Sequence, residues 1–249
     1  MRRLLGASIS QFGLKMIATA CMICYVVSVT VLQYGILRLD ETDNQTLLQA
    51  MAGGTSTMGV ASIAVLFELL AGVSLSIFAF LLVEGFQNTG NYKLYLFRLF
   101  VFSLISEIPF DYARTQKVIS LDSQNPMFAL VFGLILLYGI RMVQSDHGKH
   151  ILLCACLLIA AIIWCYFLRI EFGVFTILVI FAYYILRESH GWRIFIGVIV
   201  GLPMVTGILA VYPLFIYSGK RGANYNKFIF YLIYPLSLVI CSLICTQIR

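Results

Sequence analysis

Long apolar runs separated by short polar stretches fill the chain, at about 14–37, 58–83, 94–110, 127–143, 151–168, 172–186, 194–217 and 228–245. A helix needs about 20 mostly apolar residues to cross a bilayer. The pattern therefore predicts about eight membrane-spanning helices, with the third, fifth and sixth runs near or below that length. Backbone groups cannot be left unpaired in hydrocarbon, so the choice lies between a helix bundle and a closed barrel. Uninterrupted runs lack the apolar–polar alternation of barrel strands. The fold class is thus all-α, a polytopic transmembrane helix bundle. With no internal repeat, low-complexity tract or linker, residues 1–249 read as a single transmembrane domain, and 38–57 and 111–126 read as loops. The first run is longer than the apolar core of a signal peptide and reads as a retained helix.

Composition agrees: 61% of the 249 residues are hydrophobic and 11% charged, against about 45–50% and 25% in soluble domains. The seven cysteines, Cys21, Cys24, Cys154, Cys156, Cys165, Cys241 and Cys245, lie inside apolar runs and read as small lipophilic side chains, without metal or disulfide. With eight spans and a cytoplasmic N-terminus, ten Lys and Arg fall on the cytoplasmic side and seven opposite, as positive charge prefers. The acidic positions Asp40, Glu41 and Asp43 agree with that orientation. On this count Lys220 and Arg221 fall on the outer side. The net charge of +6 is spread over short membrane-edge loops, so the lipid bilayer and not nucleic acid is the expected partner.

Charges at membrane depth are costly and mark a bundle interior or a polar cavity. Glu68, Glu84, Arg98 and Glu107 are such positions. One reading pairs Glu84 with Arg98 across the short turn between the second and third runs. The other gathers Glu84, Arg98, Glu107, Asp111 and Asn125 into one polar site between the second, third and fourth spans. A carboxylate there could take a proton from an attacking group, and cations or amides could hold an oxyanion or phosphates. Spacing alone does not separate a transfer site from a transport path or a structural ion cluster. His147, His150 and His190 fall in loops.

The stretch 77–86 with Glu84-Gly85-Phe86, then Thr89, Tyr95, Arg98-Leu99 and the run from Leu104 through Glu107 and Pro109 to Asp111, resembles the TraX family. So do Asn125, Phe128, Gly133, the Glu171-Phe172-Gly173 turn, Gly219-Lys220-Arg221-Gly222 and Tyr234-Pro235-Leu236. The resemblance covers nearly the whole chain in order. It implies a membrane acyltransferase that takes acetyl groups from acetyl-CoA and passes them to the N-terminus of a membrane-associated, pilin-like peptide, in the bacterial cytoplasmic membrane. It also implies catalytic roles for Glu84, Glu107 and Asp111, and binding roles for Arg98, Asn125, Lys220 and Arg221. Cys24 and Tyr25 stand where the family pattern has an Asp-His pair, and Ser237 where it has a His. Those departures support the alternative of a catalytically silent relative that binds a membrane peptide or partner as an accessory subunit.

Overall fold

The computed structural model describes residues 8–39, 54–143, 147–186, 207–223 and 227–248. Asp40, Glu41, Asp43, Arg187, His190, Arg193, the first part of the 194–217 run and the side chain of His147 lie outside the described residues. The helices are α1 (Gln11–Val27), α2 (Thr55–Asn88), α3 (Tyr92–Thr115), α4 (Met127–Met142), α5 (His147–Phe167), α6 (Gly173–Ile185), α7 (Val211–Phe215) and α8 (Lys227–Ile248). Among the described residues there is no strand, only two isolated bridges. Four stretches, Gln11–Ile36, Ser56–Asn88, Lys149–Phe167 and Phe228–Ile248, are helical, long and apolar enough to cross a membrane. The protein is a helical membrane protein.

Local signals set the element ends. Ser10 caps α1 by accepting from Gly13 N at 3.3 Å, and Asn91 caps α3 by accepting from Leu94 N at 3.0 Å, each satisfying an orphan amide of a first turn. Beyond Val27 the first span continues as a π-helix, Ser28–Ile36.

Hydrogen bonds give the register of α1 against α2. Ser74 Oγ donates to Ala18 O at 2.9 Å and Ser28 Oγ to Ala64 O at 2.7 Å, so the two run antiparallel. We call the end where α1 starts proximal and the other distal. Arg141, at the end of α4, lies over the rings of Phe86 and Tyr92, at the end of α2 and the start of α3; this marks the proximal end. The distal end gathers the loops 116–126 and 168–172. They pair through Gln124 N to Arg169 O at 3.1 Å and Glu171 N to Gln124 O at 3.0 Å. That pairing lets irregular backbone lie close to the membrane interior. The 13-residue α6 reaches only about 20 Å, short of a bilayer core of about 30 Å.

The orientation expected for the 219–222 turn is corrected. Tyr183, near the end of α6, and Tyr217 both meet the ring of Phe80 edge-on, at 5.6 and 5.5 Å. Tyr183 and Tyr217, which precede and end the stretch that holds the 194–217 run, thus lie at one end, not at opposite ends. Gln11 N and Phe12 N donate to the carbonyls of Lys220 and Arg221 at 2.8 and 3.2 Å, and Ser218 N to Ile9 O at 2.9 Å. These bonds hold Lys220 and Arg221 at the proximal end beside the start of α1. α8 then runs parallel to α1, with Phe230 against Phe12 and Cys245 against Gly35.

Candidate functional site

A cavity of about 1000 Å³ runs from the proximal end into the bundle between α1, α2, α3 and α8. Its mouth is polar, with Gln11, Asn88 and Asn91 near the three cations Lys15, Arg98 and Arg221 and the single carboxylate Glu84. Gly219 and Gly222 shape the turn beside it, with φ of +75° and +80°, a region that L side chains rarely adopt. Deeper, Phe78, Leu82 and Leu130 make an apolar shaft. It ends at Tyr25, Met127, Phe172 and Tyr234. At about 1.5 Å of rise per residue, Tyr25 stands about 20 Å beyond Gln11.

Behind that floor lies a polar cluster. Arg114 forms an ion pair with Glu171, and its Nη2 reaches the Tyr25 hydroxyl at 3.4 Å. Tyr25 meets Phe172 edge-on at 5.8 Å, and Phe172 holds a left-handed φ of +54° at the start of α6. A bulky residue there stores strain. Glu171 Oε2, Arg114 Nε, Glu107 Oε1 and the Tyr234 hydroxyl are buried with no hydrogen-bond partner among the described residues. Buried polar atoms without partners are rare in folded proteins. Glu171 lies in the loop before α6, and burial pushes its carboxyl up from the ordinary glutamate value, against the pull of Arg114.

The residues singled out from the sequence do not form one site. Glu84 and Arg98 line the mouth, but no ion pair joins them; the Arg98 guanidinium lies 5.6 Å over the Phe228 ring instead. Glu107 and Asn125 sit near the floor and bind each other. Glu107 Oε2 accepts from Asn125 N at 3.2 Å and from its side-chain amide, which also donates to Ser103 O at 2.9 Å. Asp111 is buried and accepts from Ser120 N at 2.8 Å, tying the 116–123 loop to α3. Arg98 and Asp111 are thirteen residues apart on one helix, which is about 20 Å and too far for one reacting centre. Arg221 lines the mouth, whereas Lys220 is exposed beside it.

Tyr25 is buried on the cavity floor, while Cys24 is half-buried and does not line it. Ser237 also lies off the cavity, its hydroxyl donating to Tyr234 O at 2.7 Å; Tyr234, one turn earlier, takes the floor position. Arg114 escaped the sequence reading because it reads as a loop cation. Its partner Glu171 lies 57 residues on, and no periodicity links them. No disulfide joins the seven cysteines, and no cluster of metal-ligating side chains exists among the described residues.

The architecture is that of a membrane helix bundle with a deep, one-ended cavity closed by a polar floor. A family model described as TraX protein matches residues 10–245, and the chain belongs to the TraX family. No curated protein and no solved structure matches it.

Proposed function

We propose that this protein is a membrane acyltransferase that accepts acetyl-CoA through the proximal mouth and transfers the acetyl group, at the Tyr25–Tyr234 floor, to the N-terminal amine of a membrane-associated, pilin-like peptide. The observation that carries the reading is the cavity itself, with a cationic mouth for phosphates, an apolar shaft for an extended arm, and, at and behind its floor, buried polar atoms with no hydrogen-bond partner among the described residues. Arg98 and Arg221 hold the donor. At the floor the amine nitrogen attacks the thioester carbonyl, the C–N bond forms and the C–S bond breaks. The amine proton passes by way of the Tyr25 hydroxyl to Glu171 and is returned to the leaving thiolate. The Tyr234 hydroxyl donates to the oxyanion. Glu107 and Asn125 position the floor from α3 and the loop before α4, and Asp111 acts through the loop it holds.

Eight described cations, Lys15, Lys93, Arg98, Arg141, Lys149, Lys220, Arg221 and Lys227, lie toward the proximal end, and four, Arg38, Arg114, Lys117 and Arg169, toward the distal end. That bias supports a cytoplasmic proximal end, which faces the mouth toward a cytoplasmic donor in the bacterial inner membrane. A second reading has the same bundle bind a peptide without turnover, and the absence of an imidazole among the described cavity-lining residues favours it.

The test is acetyl-CoA titration into the purified protein in lipid discs. Tight binding should weaken about tenfold or more in an Arg98→Ala/Arg221→Ala double variant, and weaken with salt. No binding to the wild type removes the proposal. Binding without acetyl transfer to any amine-terminated peptide selects the second reading.

A further inference from the structure

The exposure of the Arg114–Glu171 pair does not come from the cavity. Their side chains are 25% and 11% exposed, yet neither lines the cavity, whose floor is Tyr25, Met127, Phe172 and Tyr234. Arg114 stands in the last turn of α3, and its Nη1 donates to Ser123 Oγ in the distal loop at 3.5 Å. The pair therefore meets solvent from the distal end. Tyr25 touches both regions: it lines the cavity, and its hydroxyl accepts from Arg114 Nη2. One layer of side chains separates the two.

That layer is held rigidly. Glu171 and Phe172 ride on the 168–172 loop, where Glu171 N donates to Gln124 O at 3.0 Å and Gly173 N to Ile170 O at 2.9 Å. Gly173 is packed so closely that a Cβ would lie 2.9 Å from Cys165 Cβ and 3.0 Å from Ile170 Cβ. Such packing sustains the strained backbone of Phe172 and keeps its ring across the floor. Behind the ring, Glu171 Oε2 can accept and Arg114 Nε can donate, and neither has a partner among the described residues. A small molecule that both donates and accepts suits the two atoms, which is the chemistry of water and of the hydrated proton. Burial is the largest influence on the Glu171 carboxyl and raises its pKa; Arg114 of α3 and the Tyr25 hydroxyl of α1 oppose it, and Glu68 of α2 adds to it. From α8, Tyr234 faces the same carboxyl.

We infer that Arg114 and Glu171 form a proton port to the distal compartment, sealed from the cavity by the Tyr25–Phe172 layer, so that the distal pH sets the charge behind the floor. The Glu171 carboxylate takes its proton from water at the distal end and returns it there, while Arg114 keeps its charge. This goes beyond the acyltransferase reading and holds with or without turnover.

Two measurements test it with no donor present, in right-side-out and inverted membrane vesicles, which show opposite ends of the protein to the outer buffer. In the first, the infrared carboxyl band that is lost in Glu171→Gln should follow the outer pH when the distal end faces outward and ignore it in the inverted vesicles. In the second, an impermeant sulfonate thiol reagent is read against the baseline of the seven native cysteines. It should label Ser123→Cys, which leaves the ion pair intact, from the distal side, and Phe78→Cys, in the shaft, from the proximal side. Phe172→Gly keeps the left-handed backbone without strain but removes the ring, so labelling of Phe78→Cys from the distal side should appear. The band and Phe78→Cys must answer to opposite sides whichever way the protein is oriented, and a response of both from one side overturns the inference. So does a band that ignores both buffers, or a Phe172→Gly variant in which Phe78→Cys stays sealed from the distal side.

Discussion

Arg114 and Glu171 illustrate how a single side-chain pair takes its properties from its surroundings. Removing one partner of a buried ion pair leaves an uncompensated charge, which typically costs about 3–5 kcal/mol, so Arg114→Ala is a poor probe of chemistry. Glu171→Gln is the better one. It removes the charge but not the shape, and a lost general base slows transfer by about 10²- to 10⁴-fold. The pH dependence has a definite sign. Burial disfavours the carboxylate and raises its pKa above the ordinary 4.5, so the competent, deprotonated form appears only at higher pH. The acid limb of kcat/KM should therefore lie above the ordinary glutamate range in wild type and be absent in Glu171→Gln. An unchanged acid limb in the variant would take Glu171 out of the reaction.

At the scale of elements, the clip between the start of α1 and the turn before α8 decides the shape of the mouth. Gly222 has a φ of +80°, and a Cβ there would collide with the Ser10 hydroxyl and lie 3.2 Å from Phe12 Cβ. Gly222→Ala should thus lower stability by about 1–3 kcal/mol and weaken donor binding, because Arg221 is displaced with the turn. Gly59 is the control. It lies in α2 with nothing within 4 Å of its ideal Cβ, so Gly59→Ala should be neutral or raise stability by up to about 1 kcal/mol. Thermal melts in one detergent compare the two. Similar melting points would mean that the clip contributes little.

The whole molecule makes a statement about sides. Lys220 is exposed beside the mouth, and Leu121, 80% exposed, lies in the distal loop. With the proximal end in the cytoplasm, Lys220→Cys in intact cells should resist an impermeant thiol reagent until lysis, while Leu121→Cys should react at once. The reverse pattern would invert the orientation and turn the mouth away from a cytoplasmic donor. Equal reactivity of the two would contradict the arrangement of the helices.

The membrane class, the helical nature of the runs and the family resemblance were legible from residue order. Each rests on local quantities: apolar run length, backbone satisfaction in hydrocarbon and motifs along one stretch. The boundaries of α2, α4, α5 and α8 follow the apolar runs to within a few residues. The side on which Lys220 and Arg221 lie was not legible, because counting crossings assumes that every apolar run passes through once, and Tyr183 and Tyr217 meet on one ring. Nor was the floor with the cluster behind it, which brings together Tyr25, Arg114, Glu171 and Tyr234 from four separate segments. Helical rise spreads Glu84, Arg98, Glu107 and Asp111 along the bundle axis, although they are neighbours in the motif. Only the packing of helices, which converts sequence distance into depth, decides which polar groups share a cavity.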